Sequence, residues 1–594
     1  MTSLKQTLTD IVAEAFEACG IDRKYGSVEV STRRELADYQ CNGALAAAKP
    51  YKKNPRQIGQ DVMEKLQATT GDTFSEISLA GPGFINLRLS DSWVAGQVQS
   101  MAADDSGRHG VEAVAEPKMI IIDFGGPNVA KPLHVGHVRT GIIGESLKRL
   151  SRFLGHEVLG DIHMGDWGLP IGQIIVEIQE RHPDWIYFDV DFSGPYPEES
   201  PVTVKELAEI YPTASGKSKT DEEFRAKAQK ATSELQEGRP GYRALWQHFM
   251  TVSIADLKKN YGSLQVEYDL WLGEADVNDL IDPMVEQLKA DGHAYLSEGA
   301  IVIDVKDDAD KKEMEPLMVV KSNGSVGYEA TDMATIVQRV QDYDPDLVWY
   351  VVDGRQKNHF RKVFRAVYKS GIADKNKVSL EHTYNGTING PDGKPFKTRD
   401  GGVMSLQVMV EMVIEKARER LAEIDAAADY SAEEREDIAQ KVGIAALKFA
   451  DLVNHRTGDY IFDLDRFSSF EGRTGPYLLY AAVRNQSILR KAAEEGLSAG
   501  VILPPASEEE RELQLKLLEL PDLLDFTFDQ RAPNHLCDYA YNLAIAFNRF
   551  YRAHHILNEK DAAQQASWLG VAQLTVDVLK LVLDLLGISV PERM

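Results

Sequence analysis

Four consecutive apolar residues, Met119-Ile120-Ile121-Ile122, constrain the fold more than any other stretch of this chain. An unbroken apolar run suits a strand covered on both faces, the situation of a parallel sheet with helices on either side. A turn rich in Gly and Pro follows, and then Ile142, Ile143, Leu147, Leu150 and Phe153 recur at helical spacing, which predicts a helix over about 138–154. Strand, turn and helix in that order open a nucleotide-binding α/β unit. Further strand signals lie at 301–305, 317–320 and 347–352, the last followed by an amphipathic helix from near His359. Residues 174–266 read as a charged helical insertion with a Pro/Ser/Gly-rich stretch at 193–201. Residues 1–110 mix helical stretches with a strand-like ending at 74–89, broken by Gly81-Pro82-Gly83, and read as a small separate α+β domain. Beyond about 408 the pattern is almost wholly helical. The expected organisation is therefore 1–110, an α/β domain over 111–410 carrying the insertion, a helical connecting region over 411–470, and a helical domain over 471–594.

Composition narrows the class. The three cysteines, Cys19, Cys41 and Cys537, are far apart and form no C-x-x-C pair, which suits a reducing cytoplasm and neither a disulfide framework nor a cysteine zinc site. Asp10, Glu14 and Glu17 exclude a secretory signal, and Asp577, Lys580 and Asp584 interrupt the C-terminal apolar run, so no membrane span is expected. A formal charge of −26 argues against coating nucleic acid through a uniformly positive surface. It leaves room for local patches: residues 351–400 hold eleven Lys/Arg against five acids, either a solvated surface or a phosphate contact.

Chemistry concentrates between the first strand and its helix, in Pro127-Asn128-Val129-Ala130-Lys131-Pro132-Leu133-His134-Val135-Gly136-His137. Backbone N–H groups and the positive end of a helix dipole favour an anion there. Two histidines could donate hydrogen bonds to ATP oxygens as charge builds on the α-phosphate, while Gly136 leaves space for adenine. A metal pair and an ordinary turn with hydrogen-bonded histidines are the competing readings. The second signal is Asp392-Gly393-Lys394-Pro395-Phe396-Lys397-Thr398-Arg399-Asp400-Gly401-Gly402, a glycine-flanked basic loop after the last strand that can close on phosphates.

These two segments together resemble the "HIGH" and "KMSKS" signatures of class I aminoacyl-tRNA synthetases, and their surroundings resemble the bacterial arginyl-tRNA synthetases in particular. The likeness runs nearly end to end, through Ala37–Gly43, Ala80–Asn86, Gly165-Asp166-Trp167-Gly168, Tyr328–Ala334, Val352–Phe360, Phe470–Tyr480 and the ending Val590–Met594. It implies a Rossmann-type core, an N-terminal domain on the outer corner of tRNA, and a C-terminal all-α bundle on the anticodon stem and loop. It implies an ATP-dependent ligase that activates L-arginine and transfers it to the 3′-terminal adenosine of tRNA(Arg), acting as a cytoplasmic monomer that requires bound tRNA for activation. Asp123, Asn128, Tyr328, Asp332 and Gln356 fall to the arginine pocket. His134, Gly136, His137, His359, Lys394 and Lys397 fall to ATP, with His134, His137, Lys131 and Lys397 stabilising charge during reaction. Mg²⁺ is expected on the triphosphate, with no protein ligands of its own.

The assignments make chemical sense, because a guanidinium offers five N–H donors in a planar fork that carboxylates such as Asp123 and Asp332 can meet with charge-assisted bonds. Lysine cannot fill that fork. Asp332 could alternatively cap the helix that follows it. Two departures stand out: the basic loop lacks part of the lysine signature, and Gly125-Gly126 stands where many relatives carry two serines, a change expected to loosen the turn. Tyr477, Tyr480, Phe547, Phe550 and Tyr551 could stack on unpaired anticodon bases or form helix core. Rival functions are an adenylate-forming ligase acting on a small amine, and an inactive tRNA-binding paralogue.

Overall fold

The computed structural model describes residues 3–390, 392–394, 404–423 and 430–594. They form two compact units, Ala115–Ser468 on one hand and Met1–Val114 with Ser469–Met594 on the other.

The unit Ala115–Ser468 is built on a parallel four-stranded sheet. Strand β1 (Met119–Phe124) leads through the histidine segment into helix α1 (Val135–Phe153) and on to β2 (Glu157–Asp161), which pairs with β1. The chain then leaves the sheet for four helices, Leu169–Arg181, Val204–Thr220, Glu222–Gln236 and Pro240–Ser263, which are the insertion read from the sequence. It returns through helix α2 (Tyr328–Tyr343) to β3 (Leu347–Val351), which pairs with β1 on the side away from β2. Helix α3 (Lys357–Lys369) and β4 (Ser379–His382) complete the order β4-β3-β1-β2. The direction of winding reverses between β1 and β3, so a crevice opens at their carboxyl ends, the usual ligand position in such sheets. Helix α3 shows why the sequence folds this way: Phe360, Val363, Ala366 and Val367, spaced for one helical face, are all buried.

The strand signals at 301–305 and 317–320 are real, but these strands do not join the parallel sheet. Ala300–Ile303 pairs antiparallel with both Ala294–Ser297 and Leu317–Val320 to make a separate three-stranded sheet. Its exposed Leu296 and Met318 fit a sheet with one face open to solvent.

In the other unit, the N-terminal part carries an antiparallel sheet ordered Val28–Val30, Tyr39–Cys41, Phe84–Leu89, Phe74–Ala80. The C-terminal part is a bundle of Gly475–Glu494, Glu508–Leu518, Leu520–Gln530, Asn534–Ala553 and Ala562–Leu585. Ala562–Leu585 is long and apolar enough to cross a membrane, yet most of that stretch is buried as core. Arg511 of the bundle reaches two carboxylates of the N-terminal part, bonding both oxygens of buried Asp38 at 3.0 and 2.7 Å and one of Asp91 at 2.8 Å. Phe547 and Phe550 are bundle core and unavailable for base stacking, whereas Tyr480 is 45% exposed.

Candidate active site

Helix α1 begins three residues earlier than its apolar periodicity suggests, because the histidines themselves start it. His134 is the N-cap, its Nδ1 accepting the Gly136 N–H at 3.1 Å, and His137, three residues on, accepts the His134 N–H on its own Nδ1 at 3.1 Å. This is the reciprocal arrangement usually made by Ser/Thr and Glu/Gln. It also fixes the chemistry of the rings. With each Nδ1 committed as an acceptor, a neutral ring carries its proton on Nε2 and presents an N–H donor. Both are held neutral: burial, then the charge of Lys131, lowers the pKa of His134, and burial with His134 and Lys131 pushes His137 down to about 3. The two rings lie with centroids 3.9 Å apart. Lys131 reaches over the ring of Tyr211 at 5.6 Å.

The basic loop is tied to this segment on its far side. Val135 N–H donates to the Met404 carbonyl and Leu406 N–H to that of Leu133, at 3.0 and 2.9 Å. Lys394 is exposed, while Lys397 lies outside the described residues.

The turn after β1 is tight. Gly125 has φ +82°, and a Cβ there would meet the Tyr268 and Tyr261 hydroxyls at 2.2 and 2.7 Å; one on Gly126 would lie 2.7 Å from the His163 carbonyl oxygen. In this chain the two glycines admit a close approach of Tyr261, Tyr268 and the His163 carbonyl to the turn.

Beyond the turn, Asn128 bridges Gly165, and the segment after β2 bridges onward, Asp161 to Leu270 and Met164 to Gly273. This irregular ladder brings Asn128, Trp167, Glu274 and Lys321 together with Tyr328 and Thr331 of α2 around a cleft of about 320 Å³. Glu274 was not singled out from the sequence, where it is one of several acids between Glu267 and Asp282, far from any motif. Burial raises its pKa, and the nearby Asp332 raises it further. Trp167 donates from Nε1 to Asn278 at 2.9 Å, which sets its ring in the wall. Beneath, burial pushes the Asp166 carboxyl up to about 7.

Tyr328 opens α2 and is 63% exposed, its ring 5.2 Å from that of His359. Asp332 lies one turn further along and is not a cap, since Gly327 holds that position. Its carboxylate meets His359 Nε2 at 2.5 Å. Burial opposes protonation of His359, but Asp332 and Glu329 outweigh it and raise the pKa. His359, expected at ATP, is thus bonded to Asp332, a residue expected at arginine. Gln356 is exposed at the start of α3. Asp123 ends β1 opposite Asp161 of β2, and a cation of the chain already sits on both: Arg339 of α2, itself 1% exposed, donates from Nη2 to each at 2.6 Å. Asp123, Asp161 and His163 are also close enough together to suggest a metal site, but the guanidinium occupies both carboxylates. Tyr328, Asp332, Thr335 and Arg339 recur at helical spacing, a polar stripe from which the role of Arg339 was readable.

Comparison with known proteins places the whole chain. Residues 97–464 match the family model for tRNA synthetases class I (R), catalytic domain. Residues 478–594 match the DALR anticodon binding domain, and residues 2–89 the arginyl tRNA synthetase N terminal domain. The arginine–tRNA ligases of Alkaliphilus oremlandii and Maricaulis maris are each 49% identical to the chain over 595 residues, covering 100% of both partners. The arginyl-tRNA synthetase structure from Plasmodium falciparum superimposes with a TM-score of 0.81 at 24% identity, again over 100% of both chains, a likeness of fold. On the family models and the full-length relatives together, the chain belongs to the arginyl-tRNA synthetase family of class I aminoacyl-tRNA ligases.

Proposed function

We infer that this chain activates L-arginine with ATP and transfers it to the 3′-terminal adenosine of tRNA(Arg). The observation that carries the reading is the pair of neutral imidazoles at the start of α1, their Nδ1 atoms tied back and their Nε2 atoms left as donors, on the segment that also sends Asn128 into the wall of the Glu274 cleft. Neutral donors at a helix N-terminus suit an anion whose charge grows in the transition state.

Arginine enters the cleft with its guanidinium toward acid. Asp332, oriented by His359, and Glu274 supply acceptors there, Asp123 backs them from the sheet edge, and Tyr328 and Gln356 stand at the opening. Asn128 holds the α-amino or carboxylate end. The arginine carboxylate attacks the α-phosphate in line, pyrophosphate leaves, and a ribose hydroxyl of the terminal adenosine then attacks the mixed anhydride. His134 and His137 donate to the phosphate oxygens, Gly136 leaves room for adenine, and Lys131, Lys394 and Lys397 add positive charge. Mg²⁺ belongs on the triphosphate, where it neutralises charge. The N-terminal domain is assigned to the outer corner of tRNA and the bundle to the anticodon, the enzyme working as a monomer in the cytoplasm.

The test is to offer the purified protein bulk tRNA, ATP, Mg²⁺ and each amino acid in turn. Arginine alone is expected to be attached. Attachment of another amino acid, or of none, overturns the reading.

A further inference from the structure

Helix α1 carries a second buried group that faces away from the cleft. Arg139 lies two residues beyond His137 and is 1% exposed. Its Nη1 donates to the Gly458 carbonyl at 2.7 Å and to that of Thr387 at 3.4 Å. Its Nε lies 3.5 Å from an oxygen of Asp451, also 1% exposed, and its guanidinium stands over the Tyr460 ring at 5.2 Å. Only Nη1 is hydrogen-bonded, Nε and Nη2 having no hydrogen-bond partner among the described residues, so the guanidinium is held by two carbonyls, the ion pair with Asp451 and the Tyr460 ring, contacts on three separate segments that tie them to α1.

Those segments matter because of where the chain takes them. Thr387 precedes the two-residue strand Ile388–Asn389, which pairs in parallel with Tyr460–Ile461 and runs directly toward the basic loop. Thr387 N–H is held in turn by Asp459 at 2.7 Å. On the other flank of the loop, Met404 and Leu406 bond the backbone of Leu133 and Val135, on either side of His134. Both flanks are thus latched to the histidine segment, one by main chain and the other through Arg139.

We propose that Arg139 is a positioning residue for adenylate formation, holding the histidine pair in register with the inbound flank of the basic loop. This rests on the reading of His134 and His137 as donors to ATP. Arg139 does not touch substrate; it acts by keeping two phosphate-binding parts at their working separation, and misplacing such parts by about 1 Å can cost roughly 100-fold in rate.

The experiment compares Arg139→Lys, Asp451→Asn and the double variant in the full-length enzyme with tRNA present. It measures single-turnover adenylate formation, the KM values for ATP and arginine, and thermal unfolding. Lysine keeps the charge but cannot span Gly458, Thr387 and Asp451 together. Arg139→Lys is expected to slow adenylate formation about tenfold or more in protein that is folded, with arginine KM within about twofold. Asp451→Asn should slow it less, and the double variant should be no slower than Arg139→Lys, because both act on one link. Rates within twofold of the parent for both single variants, or a loss that follows only the unfolded fraction, overturn the proposal. His134→Ser, run in parallel, separates the two claims. If it is slow while Arg139→Lys is normal, the positioning role fails alone. If His134→Ser is itself normal, the ATP reading fails and takes the proposal with it.

Discussion

Replacing His134 by Ser and His137 by Gln separates what the histidines do for the helix from what they do for the reaction. Ser at the N-cap and Gln three residues later rebuild the reciprocal capping bonds now made by the two Nδ1 atoms. The substituted helix should therefore hold, whereas His134→Ala should cost about 1 kcal/mol through the lost cap. Serine removes the Nε2 donor at 134, whereas glutamine keeps an amide N–H donor at 137 and alters only its placement. A donor aimed at charge that develops only in the transition state contributes roughly 3–4 kcal/mol, so His134→Ser should slow adenylate formation about 100- to 1,000-fold at nearly unchanged arginine KM, and His137→Gln should slow it less. Quenched single-turnover formation of adenylate, with tRNA present, reads this directly. Native His137 takes a proton only near pH 3, while the unfolded chain does so near 6.5. Native stability supplied by its neutral form is present above 6.5 and is lost as pH falls below it, by about 1.4 kcal/mol per pH unit, and His137→Gln should abolish that slope. Adenylate formation at the parental rate by the Ser/Gln protein would refute the reasoning, for it would leave the histidines with no task beyond capping.

Other substitutions test the cleft. Asp332→Asn removes the charged partner of His359 and should lower kcat/KM for arginine by roughly 10- to 150-fold, a loss of about 1.5–3 kcal/mol, while ATP KM holds; an unchanged arginine KM and kcat would take Asp332 out of the pocket. Glu274→Gln should raise arginine KM at least about tenfold in steady-state charging, and the parent should lose arginine affinity on acidification at a pH above the usual glutamate range; neither change would occur if Glu274 only supports the wall. Asp166, with its carboxyl at about 7, favours the protonated native form, so its contribution is full below pH 3.8 and is lost as pH rises to about 7. Denaturant titrations from pH 5 to 8 should show that decline, and Asp166→Asn should flatten it.

Much of this was legible in the sequence because local signals and tertiary placement agree. The unbroken Ile120-Ile121-Ile122 run became the strand buried at the sheet centre, and the turn after it does carry the histidine pair at a helix start. The helix boundary was missed because histidine is not an ordinary N-cap, so a pattern search for Ser, Thr, Asp or Asn passes it by. The strands near 301 and 317 were found but given no sheet, since short apolar runs look alike in parallel and antiparallel settings. Glu274 could not be found at all: it reaches the cleft only through the pairing of 270–273 with 161–164, contacts between segments about a hundred residues apart. Asp123 was read as an acid for the guanidinium of substrate arginine, but a guanidinium of the chain, that of Arg339, sits on it.

The bond between Arg511 and Asp38 spans 473 residues of chain. A ribosome adding about 5–20 residues per second needs roughly half a minute to a minute and a half to travel that far. During this interval the Asp38 carboxylate, buried in the finished protein, has no guanidinium to receive it. Until the other end of the chain emerges, that carboxylate has water in place of the guanidinium, and the N-terminal part lacks the tie that Arg511 later supplies. Nascent chains halted before residue 511 should be cut readily by protease near Asp38, and release of the full-length product should close that window.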